Sequence, residues 1–269
     1  LAALGIWALL PPGGCSFRKM IGAYARLESL SLFVPAGASH LGLPILLRDR
    51  VPAERCWAAV LADKTVSLAT ALGLDGRLRV VPGTEVTTVL RGHFNLYPLA
   101  PAPLTAGNGG AVAWWSAPSD TQALFDQMRE LVGEEGVIQV NHPLSPGMFA
   151  LAGFDDVTAA PSRADYWSWD FQTFELLNGG TEDLDAMRDN WFALLDFGAV
   201  RVPTGSSDSH YRFIPCGLGR TDVFVDSTDV ATVGVEEVRD ALLAGHVVVA
   251  SGTTLRATAT GSGAPGLPG

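Results

Sequence analysis

Three times along this chain an apolar stripe at helical spacing runs into a glycine and then into a short apolar run. Leu124, Phe125, Met128, Leu131 and Val132 share one helical face, Gly133 and Gly136 end it, and "VIQV" (137–140) follows. Ser119 with Gln122 three residues on reads as the capping box that starts this helix. The second copy is Leu184, Met187, Trp191, Leu194 and Leu195, then Gly198, then "AVRVP"; the third is Val235, Val238, Leu242 and Leu243, then Gly245, then "VVVAS". Further strands are expected at "LRVVP" (78–82), "FELLN" (174–178) and "DVFVD" (222–226). Helix followed by short buried strand, repeated, predicts an α/β chain whose parallel sheet is covered by helices. In such folds the loops leaving the carboxyl ends of the strands carry the chemistry.

Several side chains sit where that rule looks for them. Glu85 follows "LRVVPGT", His142 follows "VIQVN", and Asp208 and His210 follow "AVRVPTGSS", while His93 stands in "RGHFNLYPL". The chain has only five histidines. Neutral imidazoles and carboxylates are the ligands of zinc and similar divalent ions, and residues two apart on an extended backbone, as in Asp208-x-His210, project to one side. Each has an ordinary alternative. Glu85 alone would be an exposed carboxylate, His93 a loop histidine beside Phe94, His142 a strand end before Pro143, and Asp208 an Asx-turn residue. It is their common position at strand ends that favours a metal site. His246 in "AGHVVV" follows a helix-ending glycine and reads as structural. Tyr166, Trp167 and Trp169 in "DYWSWDF" either wall an apolar pocket or pack the core.

Composition narrows the partners. With 269 residues the chain can bury one large core or two small ones, and 48% hydrophobic against 17% charged residues describes a folded protein. A net charge of −10 argues against nucleic acid or an anionic membrane surface and leaves a small-molecule substrate as the expected partner, with the oligomeric state open. Cys15, Cys56 and Cys216 are odd in number and contain no CxxC pair, so no disulfide framework is expected. "LAALGIWALL" is too short to span a bilayer and lacks a basic flank, which leaves the cytoplasm, or export if a signal precedes the chain. Residues 1–30 fit no periodic template and stay unassigned; 31–260 form the expected catalytic domain, and 261–269 a Gly/Pro-rich tail or the start of a further segment.

The stretches "VPGTEVTT", "GHFNLYPL", "VIQVNHP", "FELLNGG", "W-x-x-L-L-x-x-G" (191–198) and "TGSSDSH" with "GRT" (219–221), in this order and spacing, resemble the PHP (polymerase and histidinol phosphatase) metallohydrolases, in the carbaryl-hydrolase-like branch. The resemblance runs over residues 30 to 260. It implies a distorted (β/α)7 barrel of TIM-like form, with up to three metal ions at the strand carboxyl ends and hydrolysis of phosphoesters, carbamates or related esters. Zinc is the first expectation for the ion, with manganese or iron as alternatives.

Carried over by position, Glu85, His93 and His142 match the ligands of the second metal without a gap. The first metal keeps Glu85 as a bridge and Asp208, but its opening His-x-His falls on Leu32 and Val34, which cannot coordinate. The third keeps His40 and His210, while the family's Thr-Asp-His reads Ala62, Asp63, Lys64. The resemblance makes Asp208 a group that orients or deprotonates water, Lys64 a cation in place of a lost ion partner, and Arg220 a group that orients a substrate oxygen. The expectation is a divergent metal-dependent hydrolase. Two alternatives stay open: a degenerate, non-catalytic relative retaining partial metal binding, and an active enzyme whose first 35 residues are disrupted.

Overall fold

The computed structural model describes residues 70–253 except 75, 80, 82, 89, 100–119, 145–146, 180–182, 210–216 and 228. Strands β1 (Thr84–Thr87) and β2 (His93–Tyr97) are joined by a turn in which the Thr88 hydroxyl donates to the Gly92 carbonyl at 2.7 Å. Gly92 has φ +94, and a Cβ there would stand 2.8 Å from the backbone nitrogen of Met148, so the tight return needs glycine twice over. Helix α1 (Thr121–Val132) is capped by Asp120, whose carboxylate accepts from Ala123 N at 3.0 Å, and ends at Gly133 with φ +77. The cap is therefore Asp120; Ser119 lies outside the described residues. Strand β3 (Val137–Asn141) follows, buried along its whole length.

After β3 come helix α2 (Met148–Ala152), the small hairpin β4 (Phe154–Asp155) and β5 (Ala160–Pro161), and strand β6 (Thr173–Asn178). Helix α3 (Leu184–Asp196) then leads to β7 (Val202–Ser206), β8 (Gly219–Val223), helix α4 (Val235–Leu243) and β9 (Val247–Ser251). All three predicted helix–glycine–strand units form. Two strand positions shift: residues 78, 79 and 81 carry no ladder and β1 begins at Thr84, while β8 starts at Gly219 and ends before Phe224.

The expected (β/α)7 barrel is not what these elements build. Among the described residues they form an open five-stranded mixed sheet in the order β1-β2-β3-β6-β7, with β4-β5 and β8-β9 as separate two-stranded sheets. β2 runs antiparallel to both β1 and β3; for β1 the reason is the link 88–92, far too short for the crossover that a parallel neighbour requires. The parallel neighbours are β3–β6 and β6–β7, and β2 is the one strand of the five that runs against the rest. At the far edge, β7 meets β8 through a side chain: the Thr221 hydroxyl accepts from Gly205 N at 2.8 Å and donates to Gly205 O at 3.1 Å. A hydroxyl thus satisfies the backbone groups that a ladder would use.

Alternation divides the sheet into two unlike faces. Val86, Phe94, Leu96, Ile138, Val140 and Phe174 point to one side, where α1, α2 and α3 bury them. Phe149 of α2 lies at the middle of this core, its ring 4.9 Å from Trp167 and 6.0 Å from Phe174. Trp167 is therefore a core residue. Tyr166 is held between the guanidinium groups of Arg91 and Arg163, and Trp169 stacks on Phe197 at the surface. The opposite face carries Glu85, His93, Asn95, Gln139, Asn141 and Glu175, covered at one end by a small apolar cluster of Val137, Val202 and Leu242 with Val223 and Val247. No described helix is long and apolar enough to cross a membrane.

The close approach of β7 and β8 also gives a test of the fold. A Cβ at Gly219 would stand 2.2 Å from the Ser206 carbonyl oxygen, whereas one at Gly76 would meet nothing within 4 Å. Gly219→Ala is expected to lower stability by about 1–3 kcal/mol in urea unfolding, and Gly76→Ala to change it little. Equal effects of the two substitutions would contradict the β7–β8 packing.

Candidate metal centre

The register of the first three strands assembles the site. Glu85 stands opposite Asn95, and His93 opposite Asn141, so Glu85, His93 and Asn141 emerge on the same face of neighbouring strands. Because β2 is antiparallel, its first residue lies at the edge where β3 ends, and His142 is the next residue beyond that end. Glu85 itself lies inside β1, not past a strand end as its sequence context suggested. One ligand-type atom from each of Glu85, His93 and His142 falls within 4.8 Å of the others.

Closer contacts define the arrangement. His93 Nδ1 lies 3.4 Å from Glu85 Oε1, and the rings of His93 and His142 meet edge to face with centroids 4.6 Å apart. Asn141 Nδ2 donates to Glu85 Oε1 at 3.2 Å. Burial by itself would raise the Glu85 pKa, but the hydrogen bond and charge of His93, with donors from Asn141 and Thr87, prevail and bring it from 4.5 down to about 2. His142 Nδ1 is buried with no hydrogen-bond partner. A buried imidazole nitrogen without a partner beside a second imidazole and an ionised carboxylate is a donor set that suits a divalent cation.

His142 holds an unusual backbone, with φ +27. Glu175 fixes it. The Glu175 side chain is 2% exposed, and its Oε2 accepts from His142 N at 2.6 Å and from Asn178 Nδ2 at 2.9 Å. Its Oε1 accepts from the Ser206 hydroxyl. One buried carboxylate therefore ties the loop after β3 to the end of β7. Gly147 closes the same turn, since a Cβ there would stand 2.2 Å from the His142 carbonyl oxygen. Glu175 was not singled out from the sequence, although a lone carboxylate inside the apolar run "FELLN" is the signal that could have found it.

The remaining predicted site residues divide plainly. Asp208 leaves β7 with φ +42 at the sheet edge from which His142 leaves β3, and it is not part of the three-residue cluster. The side chain of Arg220 is engaged within its own two-stranded sheet, where Nε donates to Asp222 Oδ1 at 3.0 Å and Nη1 to Gly252 O, just past β9, at 3.3 Å. His40, Asp63, Lys64 and His210 lie outside the described residues, as do Leu32 and Val34. A cleft of about 540 Å³ opens beside the site, with Glu85, Tyr97 and Gln139 on one wall and Val223, Val235 and Val238 on the other. That volume suits a small organic molecule.

No family model, curated protein or solved structure matches the chain. What the cluster can do follows from the chemistry of its own side chains.

The lowered Glu85 pKa carries a sign. A carboxylate depressed in the folded state stabilises fully above its unfolded value near 4.5, and that contribution is lost as pH falls through about 2. In chelator-treated protein, the stability difference between wild type and Glu85→Gln is expected to shrink as pH falls from about 4.5 to about 2. Urea unfolding of both proteins along a pH series measures this, and a difference that does not change with pH would contradict the geometry around Glu85.

Proposed function

We propose that the chain is a metal-dependent hydrolase of small esters, carbamates or phosphoesters, with Glu85, His93 and His142 as ligands of one divalent ion, zinc first and manganese or iron as alternatives. The observation that carries this reading is the convergence of one ligand-type atom from each of Glu85, His93 and His142 to within 4.8 Å of the others, with His142 Nδ1 buried and without a hydrogen-bond partner. Three protein ligands with a position left open are the pattern of catalytic zinc, whereas structural sites are closed by four. An ion bound there would supply Lewis acidity and would lower the pKa of water to about 7.

The chain's own residues do the rest. Glu175 holds the His142 backbone so that its ring faces His93. Asp208 departs from the same sheet edge as His142, which supports giving it the proton of the attacking water. The adjoining cleft, lined by valines as well as Glu85, is suited to the apolar part of an ester or carbamate. Replacement of the family's opening histidines by Leu32 and Val34 favours a second reading, in which the ion is bound but turnover is lost. The PHP resemblance stays a proposal on the motifs alone.

Metal analysis of the purified chain is expected to find one zinc or manganese ion per molecule, and His142→Ala is expected to lose it together with hydrolysis of aryl esters and carbamates. Metal retained with no turnover on esters, carbamates or phosphomonoesters selects the second reading. A wild-type chain that takes up no ion contradicts both.

A further inference from the structure

The polar face of the sheet holds a hydrogen-bonded chain that runs from the far end of β2 to the ligand carboxylate. Tyr97 OH donates to Gln139 Oε1 at 2.9 Å, Gln139 Nε2 donates to Asn141 Oδ1 at 3.0 Å, and Asn141 Nδ2 donates to Glu85 Oε1 at 3.2 Å. The two amides are 6% and 4% exposed, so water does not compete for their hydrogen bonds. Register produces the path: Gln139 and Asn141 are two apart on β3 and share a face, while Tyr97 and Glu85 reach them from β2 and β1.

The direction of this chain is fixed by chemistry. An ionised carboxylate accepts only, so Asn141 must turn its NH2 group to Glu85. Its oxygen then needs a donor, which only the NH2 group of Gln139 supplies among these partners. The Gln139 oxygen in turn needs a donor, and the Tyr97 hydroxyl provides it, with the Thr173 hydroxyl at 3.5 Å as a weaker second. Burial pushes the Tyr97 hydroxyl up to about 12, so it keeps the proton it donates. Any single reversal would set two acceptors face to face.

We propose that Tyr97, Gln139 and Asn141 are positioning residues: a one-way relay that aims Glu85 Oε1 and sets the affinity of the centre for its ion. The inference rests on the metal reading above. Partners beyond the ligands orient them and raise their basicity, and losing one typically costs about 10–100-fold in metal affinity. Tyr97 and Gln139 touch neither imidazole and reach the ion only through Asn141 and Glu85.

Gln139→Glu tests this, because it preserves shape and reverses polarity. At mildly alkaline pH the new carboxylate accepts from Tyr97 but has no proton for Asn141, whose amide must then turn its oxygen towards Glu85. Simple electrostatics predicts the opposite outcome, since an added negative charge near a cation site should tighten binding. Zinc affinity of the full chain, measured by competition with a chromophoric chelator, is expected to fall by about tenfold or more in Gln139→Glu. In Tyr97→Phe it is expected to fall roughly fivefold, the worth of one hydrogen bond. Tyr97→Phe should remain folded after chelator treatment, with at most a modestly lowered unfolding midpoint because the Thr173 hydroxyl remains as a donor to Gln139, which separates positioning from loss of fold. Unchanged or tighter zinc binding in Gln139→Glu would overturn the relay, and if that variant does not fold, unchanged binding in Tyr97→Phe does so. A wild-type chain that binds no zinc would instead overturn the metal reading itself.

Discussion

The register that sets His93 against Asn141 and Glu85 against Asn95 is the constraint on which the rest depends. A strand's side chains alternate, so a slip of one residue would turn Phe94 and Leu96 to the polar side and drive His93 and Glu85 into the aromatic core. Phe94 and Leu96 are fully buried against the helices, and Val86 nearly so, which makes such a slip costly. The apolar face thus holds the polar face in place. The ligand cluster, the amide relay and the cleft all follow from that single alignment.

Connectivity then decides which strand ends meet. A short turn through Gly92 makes β2 antiparallel to β1, and β2 also pairs antiparallel with β3, so the beginning of β2 shares an edge with the ends of β1, β3, β6 and β7. In an all-parallel barrel the same edge would collect carboxyl ends only. Here it gathers the amino end of one strand with the carboxyl ends of four. Glu175, reaching from β6 to the His142 backbone and to Ser206, binds these ends together with one buried charge. Three donors around that carboxylate offset the cost of removing it from water.

Much of this was readable in the sequence and part was not. The helical stripes ending at Gly133, Gly198 and Gly245 located three helices and the strands after them, since period and terminator agree in each. Strand direction was not readable, because "GHFNLYPL" carries the same apolar pattern whether β2 runs with its neighbours or against them. Grouping Glu85, His93 and His142 was possible from residue type and motif order. The inner support was hidden: Glu175, Gln139 and Asn141 act through partners far along the chain, and nothing in "FELLN" or "VIQVN" states which backbone nitrogen or carboxylate they meet. Arg220 pairs locally instead. Its partner Asp222 is two residues away on the same strand, where alternation sets both on one face.

The central claim is that a carboxylate and two imidazoles from three neighbouring strands hold one cation. X-ray absorption at the zinc edge on the zinc-loaded full chain tests it most directly. The account predicts a low-coordinate oxygen/nitrogen shell at about 2.0–2.2 Å, with outer-shell scattering from two imidazoles that drops to one in His93→Gln. A six-oxygen shell without imidazole scattering, or a spectrum unchanged in His93→Gln, would contradict it.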